Sequence, residues 1–340
     1  MKSKQRSELS WKILSSYRSQ IMGIAILWIM LFHWPELFRS VPLVSFITKR
    51  GMTGVEMFLL VSGIGLFYSM TKNENVKEFY IKRALRVLIP YLVISLPYWI
   101  WQDLWVKKDI GKFFLDYSLL AFWKSGDRKV WYIALILVLY AVYPFIFKCF
   151  LKGGAAYKKA ALMALSLILP LIIYAVNPSY FAVTEIAFWR ISSFALGSLL
   201  AVWVMEGHKF SRMQFLGIAA AAIGTVAIVI VINHMVSVAG IFRVVYLPIG
   251  FICCFLSAVI LWLLDCSWLN RLLSKFGACS LELYLIHIFL RSLYEYYVLG
   301  DGSANSLMNT IVIPCITIAL SIVLSMLAHK LIDKIKLGSK

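Results

Sequence analysis

The feature that most constrains this chain is a series of apolar stretches, each long enough to cross a bilayer as an α-helix, separated by short segments where the charges collect. A span needs about 20 apolar residues. Runs of that kind centre on 20–38, 52–71, 84–105, 130–150, 160–177, 187–205, 214–233, 244–264, 276–298 and 308–331. They predict an all-α polytopic membrane protein, a bundle of about ten transmembrane helices. Composition agrees: 61% of the residues are hydrophobic and 15% charged, whereas a soluble domain is about half apolar and a quarter charged.

The net charge of +18 is that of a nucleic-acid binder, but the cations sit between the apolar runs, where membrane proteins place them, so no nucleic-acid partner is expected. Of the 34 Lys and Arg, 22 fall on the side that carries the two termini and 11 on the other, with Arg291 inside a span. The bias predicts both termini in the cytoplasm. One domain over 1–340 is expected, with a cytoplasmic tail at 1–19, a long outer loop at 106–129 and a second cytoplasmic tail at 332–340. GKFFLDYSLLAFW in the outer loop has the pattern of a short amphipathic helix at the membrane surface, either an interfacial cover or a substrate contact. The basic segment KSKQRSELSWK precedes a full-length span without an A-x-A-like cleavage site, so the first span is expected to remain in the protein. The six cysteines lie in or beside apolar runs without metal-ligand spacing and read as small hydrophobes; no metal site is expected.

Ionisable groups in lipid are costly unless paired or hydrated, so each is a functional candidate. His33 lies near the outer end of the first run, Glu56 near the outer start of the second, Trp131 and Tyr132 open the fourth, and Arg190 opens the sixth. A carboxylate at the depth of His33 would fix the imidazole and leave its other nitrogen as a base. The alternatives are a structural histidine bonded to a carbonyl, a Glu56–Arg190 ion pair that only joins helices, and an ordinary aromatic belt at Trp131 and Tyr132. On the inner side Arg83 and Arg86 are three residues apart on one face, which suits either interfacial anchoring or a phosphate clamp. In the ninth run Ser280, Tyr284 and His287 share a face that excludes Glu282, as a cavity lining or as interhelical hydrogen bonding would require. VSGIG around Ser62 lacks the first glycine of G-x-S-x-G, and Gly63 and Gly65 read as close-packing positions.

Six stretches carry a family resemblance: MGIAILWIMLFH (22–33), TGVEMFLLVSGIGLFYS (53–69), FYIKRALRVLIPYL (79–92), VWYIALILVLYAVYP (130–144), RISSFALGSLLA (190–201) and FGACSLELYLIH (276–287). In this order they resemble the acyltransferase-3 family of bacterial membrane O-acyltransferases over almost the whole chain. The resemblance implies about ten spans and transfer of acyl groups, commonly acetyl from acetyl-CoA, to surface carbohydrates. It puts His33 in the place of the catalytic histidine, Glu56 at the acidic position before the F-x-x-S-G pattern, Arg83 and Arg86 at the basic pair, and Arg190 at the arginine opening its helix. The family often has an arginine eleven residues before the histidine, and here Met22 stands there. The nearest arginine, Arg18, would lie about 22 Å from His33 along a helix; it cannot pair with His33 but can contribute to the inner polyanion site.

The expectation is therefore an acyl-CoA-dependent O-acyltransferase in a bacterial plasma membrane, with acetyl-CoA as donor substrate, no tightly bound cofactor, and a surface glycan or lipid-linked saccharide as acceptor. His33, Glu56 and Arg190 form the expected catalytic set. Arg83, Arg86 and Arg18 hold the donor phosphates, and Trp131, Tyr132, Tyr284 and His287 contact substrate. His33 either takes the acceptor's proton or carries the acyl group itself, and Arg190 steadies the thioester oxygen. A secondary transporter would instead have broken helices in matched halves. A non-catalytic partner in polysaccharide assembly would tolerate loss of His33.

Overall fold

Backbone N–H and C=O groups have no water to turn to inside lipid, so helices that close their own hydrogen bonds are the form expected of long apolar runs. A computed structural model describes residues 9–38, 40–235, 238–299 and 311–338. Among them the chain is predominantly helical, with no strand beyond the single antiparallel bridge between Ser10 and Lys209. Among the described residues eight helices are long and apolar enough to cross a membrane: Pro42–Lys72, Val76–Val106, Trp131–Leu151, Ala156–Val176, Pro178–Glu206, Arg212–Ile232, Ile241–Leu264 and Ile313–Lys330. A bent pair raises the number to nine.

Two of the ten expected spans depart from the reading. The first, expected over 20–38, is the helix Arg18–Phe32 of 15 residues, which is about 22 Å long against a hydrocarbon core of about 30 Å. Pro35 ends it early, because the residue before a proline is pushed out of the helical region, and Trp34 is non-helical. The ninth is split at Cys279 into Ser267–Ala278 and Ser280–Val298, which meet at 67°. Ser267–Ala278, expected as a connection, is an amphipathic helix that buries Leu273 and Phe276. The last helix, Ile313–Gly338, continues through most of the segment expected to be a tail.

Contacts divide the chain into two units, each assembled from separate stretches of sequence. The first comprises Met1–Ile21, Glu56–Glu74 and Phe145–Asn270. Its tightest helix crossing is reciprocal: a Cβ at Gly63 would run into the Phe194 carbonyl and lie 2.7 Å from Ser198 N, while one at Gly197 would lie 2.7 Å from the Leu60 carbonyl carbon. Glycine is what lets the helices Thr53–Lys72 and Ile191–Glu206 touch through their backbones. In the N-terminal segment, expected as a cytoplasmic tail, Trp11 N–H donates to the His208 carbonyl at 2.9 Å. Its indole, 1% exposed, is surrounded by Trp203, Phe210, Phe251 and Phe255.

The second unit comprises Met22–Val55, Asn75–Pro144 and Arg271–Lys340. Here too small residues set the approach: a Cβ at Gly54 would sit 2.7 Å from the Ala25 carbonyl oxygen, and one at Gly51 2.7 Å from Phe32 Cβ. A π-helical turn at Ala84–Leu88 directly precedes the helix Ile89–Trp99. Its cause is Pro90, which has no N–H and whose ring would strike the Arg86 carbonyl in a regular α-helix. Beyond Val106 the single amphipathic helix expected over 111–123 is two, Ile110–Tyr117 and Leu120–Ser125, separated at Leu119 with φ +67. Asp109 caps the first by accepting from Lys112 N–H at 2.8 Å. Tyr91 donates to the Tyr117 carbonyl at 3.0 Å and Tyr117 donates to the Leu92 carbonyl at 3.2 Å, so the first of these helices is fastened to Ile89–Trp99.

Because the Gly197 crossing is backbone against backbone, Gly197→Val is expected to cost about 1–3 kcal/mol, or to prevent accumulation. Gly217→Val, where a Cβ meets nothing within 4 Å, serves as the control. Thermal unfolding in detergent measures both.

Candidate functional site

His33 follows directly on the helix Arg18–Phe32, in the turn before Pro35, and is half-buried. Its Nδ1 lies 2.9 Å from the Ile29 carbonyl oxygen and 3.2 Å from Nε2 of His287. His287, fully buried on Ser280–Tyr294, has its own Nδ1 2.7 Å from the Leu283 carbonyl oxygen. The rings continue from there. Tyr284 is 5.9 Å from His287 and Tyr132 is 5.5 Å from Tyr284, centroid to centroid. Four sequence-predicted residues, His33, His287, Tyr284 and Tyr132, thus form one continuous chain of rings in the second unit. Trp131 neighbours it at 6.2 Å from Tyr132. Beside His33, Arg291 lies over the rings of Trp34 (4.7 Å) and Tyr294 (5.1 Å) and pairs with Glu295 at 2.8 Å. Ser280 and Tyr284 are buried on the same helix as expected, while Glu282 turns to His329, 2.9 Å away.

Glu56 and Arg190 belong to the first unit, where they form the ion pair that the sequence offered as the alternative to a role beside His33. The Glu56 carboxylate is held within its own unit: Arg190 Nε is 2.9 Å from Oε1, and the Ser193 hydroxyl donates to Oε2 at 3.0 Å. Arg190 also donates from Nη1 to the Ile186 carbonyl at 2.8 Å. Both charged side chains are almost wholly buried, 1% and 2% exposed. The ring of His33 is instead held by a backbone carbonyl and a second histidine. A further buried pair, Glu185 with Arg243 (Nη2 to Oε1, 3.0 Å), braces the same unit. Sequence reading passed over Ser193 and this pair. Ser193, one turn beyond Arg190 on its face, was the available signal; Glu185 and Arg243 are opposite charges set in otherwise apolar stretches.

The arginines expected to hold phosphates are divided. Arg83 is half-buried, with its guanidinium 5.4 Å from the Phe79 ring and 5.9 Å from that of Tyr140, whereas Arg86 is exposed. The π-helical turn between them is wider than an α turn, so a three-residue step no longer brings them close to one line. Arg18 lies in the first unit, donating from Nε to the Val61 carbonyl at 3.4 Å and packing where a Cβ on Gly65 would be. Gly63 and Gly65 are packing positions, as read. Among the described residues no group of three or more His, Cys, Asp or Glu is arranged to hold a metal ion.

The connection after Val106 carries a compact charge cluster. Lys112 pairs with Asp116 at 2.9 Å and with Asp127 at 3.4 Å, and Lys129 donates to Gln102 Oε1 at 2.9 Å and to the Tyr98 hydroxyl. Burial pushes the Asp116 carboxyl up from 3.8 to about 6, helped by the negative charges of Asp127 and Asp103 and opposed by Lys112. Burial likewise pushes Lys129 down.

With these two centres described, the comparisons decide the family. The sequence model of the acyltransferase-3 family, described as an acyltransferase domain, matches residues 21–330. The chain belongs to the acyltransferase-3 family. No curated relative and no solved structure matches it. It is accordingly a multi-pass membrane acyltransferase. Every expected site residue falls inside the matched stretch except Arg18.

Two outcomes follow from the electrostatics. Glu56→Gln leaves the Arg190 charge buried beside a neutral side chain and is expected to cost about 3–5 kcal/mol; the double variant Glu56→Gln with Arg190→Met should cost less than the single one, as thermal unfolding in detergent would show. Asp116 has a folded pKa above its ordinary value, so its stabilisation is full below about 3.8 and is lost as pH rises through about 6. The difference in thermal midpoint between the native protein and Asp116→Asn should therefore shift in favour of the native protein as pH falls from 7 to 5.

Proposed function

We propose that this acyltransferase moves an acyl group, acetyl by preference, from acyl-CoA to a hydroxyl of an extracytoplasmic glycan, in a bacterial plasma membrane with both chain termini in the cytoplasm. The observation that carries the proposal is the setting of His33. It is an imidazole in a family acyltransferase, half-buried at the end of an apolar helix, held on one edge by Ile29 and His287 and adjoining the rings of Tyr284 and Tyr132. Such a ring can do proton or acyl chemistry at its remaining nitrogen. The excess of Lys and Arg on the termini's side supports the orientation.

Acyl-CoA enters from the cytoplasm with its phosphates on Arg83 and Arg86, whose forked guanidiniums suit a polyanion. Its pantetheine arm reaches up the second unit to His33. The acceptor hydroxyl gives its proton to His33 as its oxygen attacks the thioester carbonyl; the C–S bond breaks, and the thiolate leaves with that proton as free CoA. In the covalent variant the imidazole attacks first, the C–S bond breaks and CoA leaves as thiolate; the hydroxyl oxygen then attacks the acyl-imidazole, the C–N bond breaks to free the ring, and the hydroxyl's proton ends on the CoA thiolate. Trp131, Tyr132 and Tyr284 line the acceptor's approach. Glu56 and Arg190 act as a neutral buried pair that shapes the first unit. Arg18 is occupied at Val61 and Gly65 and is left out of the donor site.

The test uses membranes containing the native protein or His33→Ala, matched for accumulation, with acyl-labelled acetyl-CoA and the host's own glycan. Label should enter the glycan with the native protein and fall by at least about 100-fold in the variant. Equal labelling by both removes His33 from the chemistry, and no labelling by either overturns the reading. For the donor site, Arg83→Gln with Arg86→Gln is expected to raise KM for acetyl-CoA about 10-fold or more with kcat less affected.

A further inference from the structure

The two histidines can be assigned their protons from the groups they face. A backbone carbonyl only accepts, so the 2.7 Å contact between His287 Nδ1 and the Leu283 oxygen places a proton on that nitrogen. A neutral imidazole then has its lone pair on Nε2, the atom 3.2 Å from His33 Nδ1. His33 Nδ1 therefore faces two acceptors, this lone pair and the Ile29 carbonyl oxygen at 2.9 Å. The opposite tautomer of His33 would set its own lone pair against both. The favourable arrangement has the proton on Nδ1 and the lone pair of His33 on Nε2.

We infer that His287 is a positioning residue for His33: with Leu283 behind it, it fixes the tautomer that makes His33 Nε2 the reactive nitrogen. The inference rests on the reading of His33 as the acyl-transfer residue and moves His287 out of the expected substrate-contacting set. The chain of bonds runs from the Leu283 carbonyl through His287 and then His33 Nδ1–H to the reacting lone pair. It has the logic of a base oriented by a third group, with a neutral imidazole where a soluble enzyme often places a carboxylate. The setting favours that choice, because an isolated anion in lipid costs several kcal/mol whereas a neutral ring bonded at both nitrogens carries no charge. When His33 takes up the acceptor's proton, its Nδ1–H bond to His287 becomes charge-assisted and strengthens, so the contact favours the protonated stage over the resting one.

Three purified proteins test this: native, His287→Leu, which has no acceptor, and His287→Gln, whose amide oxygen can accept near the position of the lost Nε2. Two readouts are taken at matched amount and thermal midpoint. One is the rate at which His33 is modified by diethyl pyrocarbonate, whose carbonyl is attacked by an unprotonated ring nitrogen, followed by mass spectrometry of its peptide. The other is kcat and KM for acetyl-CoA in glycan labelling. Expected for His287→Leu are slower modification of His33 and a kcat lower by about 10- to 100-fold with KM unchanged, while His287→Gln recovers most of both. Equal loss in Leu and Gln, or no loss in Leu, overturns the inference. Should the native protein transfer no acyl group while the modification rates follow the expected order, the tautomer assignment stands and the O-acyl transfer reading falls.

Discussion

A charge or a hydrogen-bonding group carried into a membrane helix must find a partner in the protein, because lipid offers none. The partners found here join stretches far apart in sequence. Glu56 meets Arg190 and Ser193, Glu185 meets Arg243, Glu282 meets His329, and His33 meets His287. Each contact brings together helices that would otherwise be held by apolar packing alone, which in lipid discriminates poorly between one arrangement and another. Such pairs contribute little net stability against a well-packed apolar alternative, but breaking one strands a buried group.

Backbone irregularities lie next to the functional residues, and prolines and small residues cause them. Pro35 ends the first helix at Phe32 and leaves the His33 ring in the turn just beyond it. Pro90 goes with the π-helical turn that separates the directions of Arg83 and Arg86. The break at Cys279 starts the helix of Tyr284 and His287 afresh, at 67° to the one before it. Glycines at 51, 54, 63 and 197 let neighbouring segments approach to direct backbone contact. These elements fix where the chemistry-bearing side chains point.

The two centres deal with low dielectric differently. In the first unit an acid and a base cancel, and the cluster is charged but neutral as a set. In the second unit the partner of His33 is itself neutral, so the base is oriented without an ion beside it. A carboxylate partner would raise the basicity of His33 further but would itself need compensation in lipid. Arg291, spread over Trp34 and Tyr294 and paired with Glu295, is the nearby cation, and its charge is already met.

Much was legible from the sequence alone. Apolar run length announced a membrane bundle, because the thickness of lipid is a fixed ruler, and six ordered stretches announced the family later matched over residues 21–330. His33 stood out as an imidazole in an apolar run, and the i, i+4, i+7 spacing of Ser280, Tyr284 and His287 marked a buried face. Pairing was only partly legible: the Glu56–Arg190 ion pair stood as one of two alternatives, and the His33–His287 contact was not foreseen. Glu56 and His33 looked like natural partners because opposite ends of a short connection lie at similar depth, yet depth is only one coordinate. Rotation of each helix about its axis decides whom a side chain meets, and it follows from glycine contacts, prolines and π-helical turns whose consequences appear only once the helices are packed. Thus the sequence by itself determined which chemical groups enter the membrane, and the tertiary structure alone decided that Glu56 answers Arg190 and that His33 answers His287.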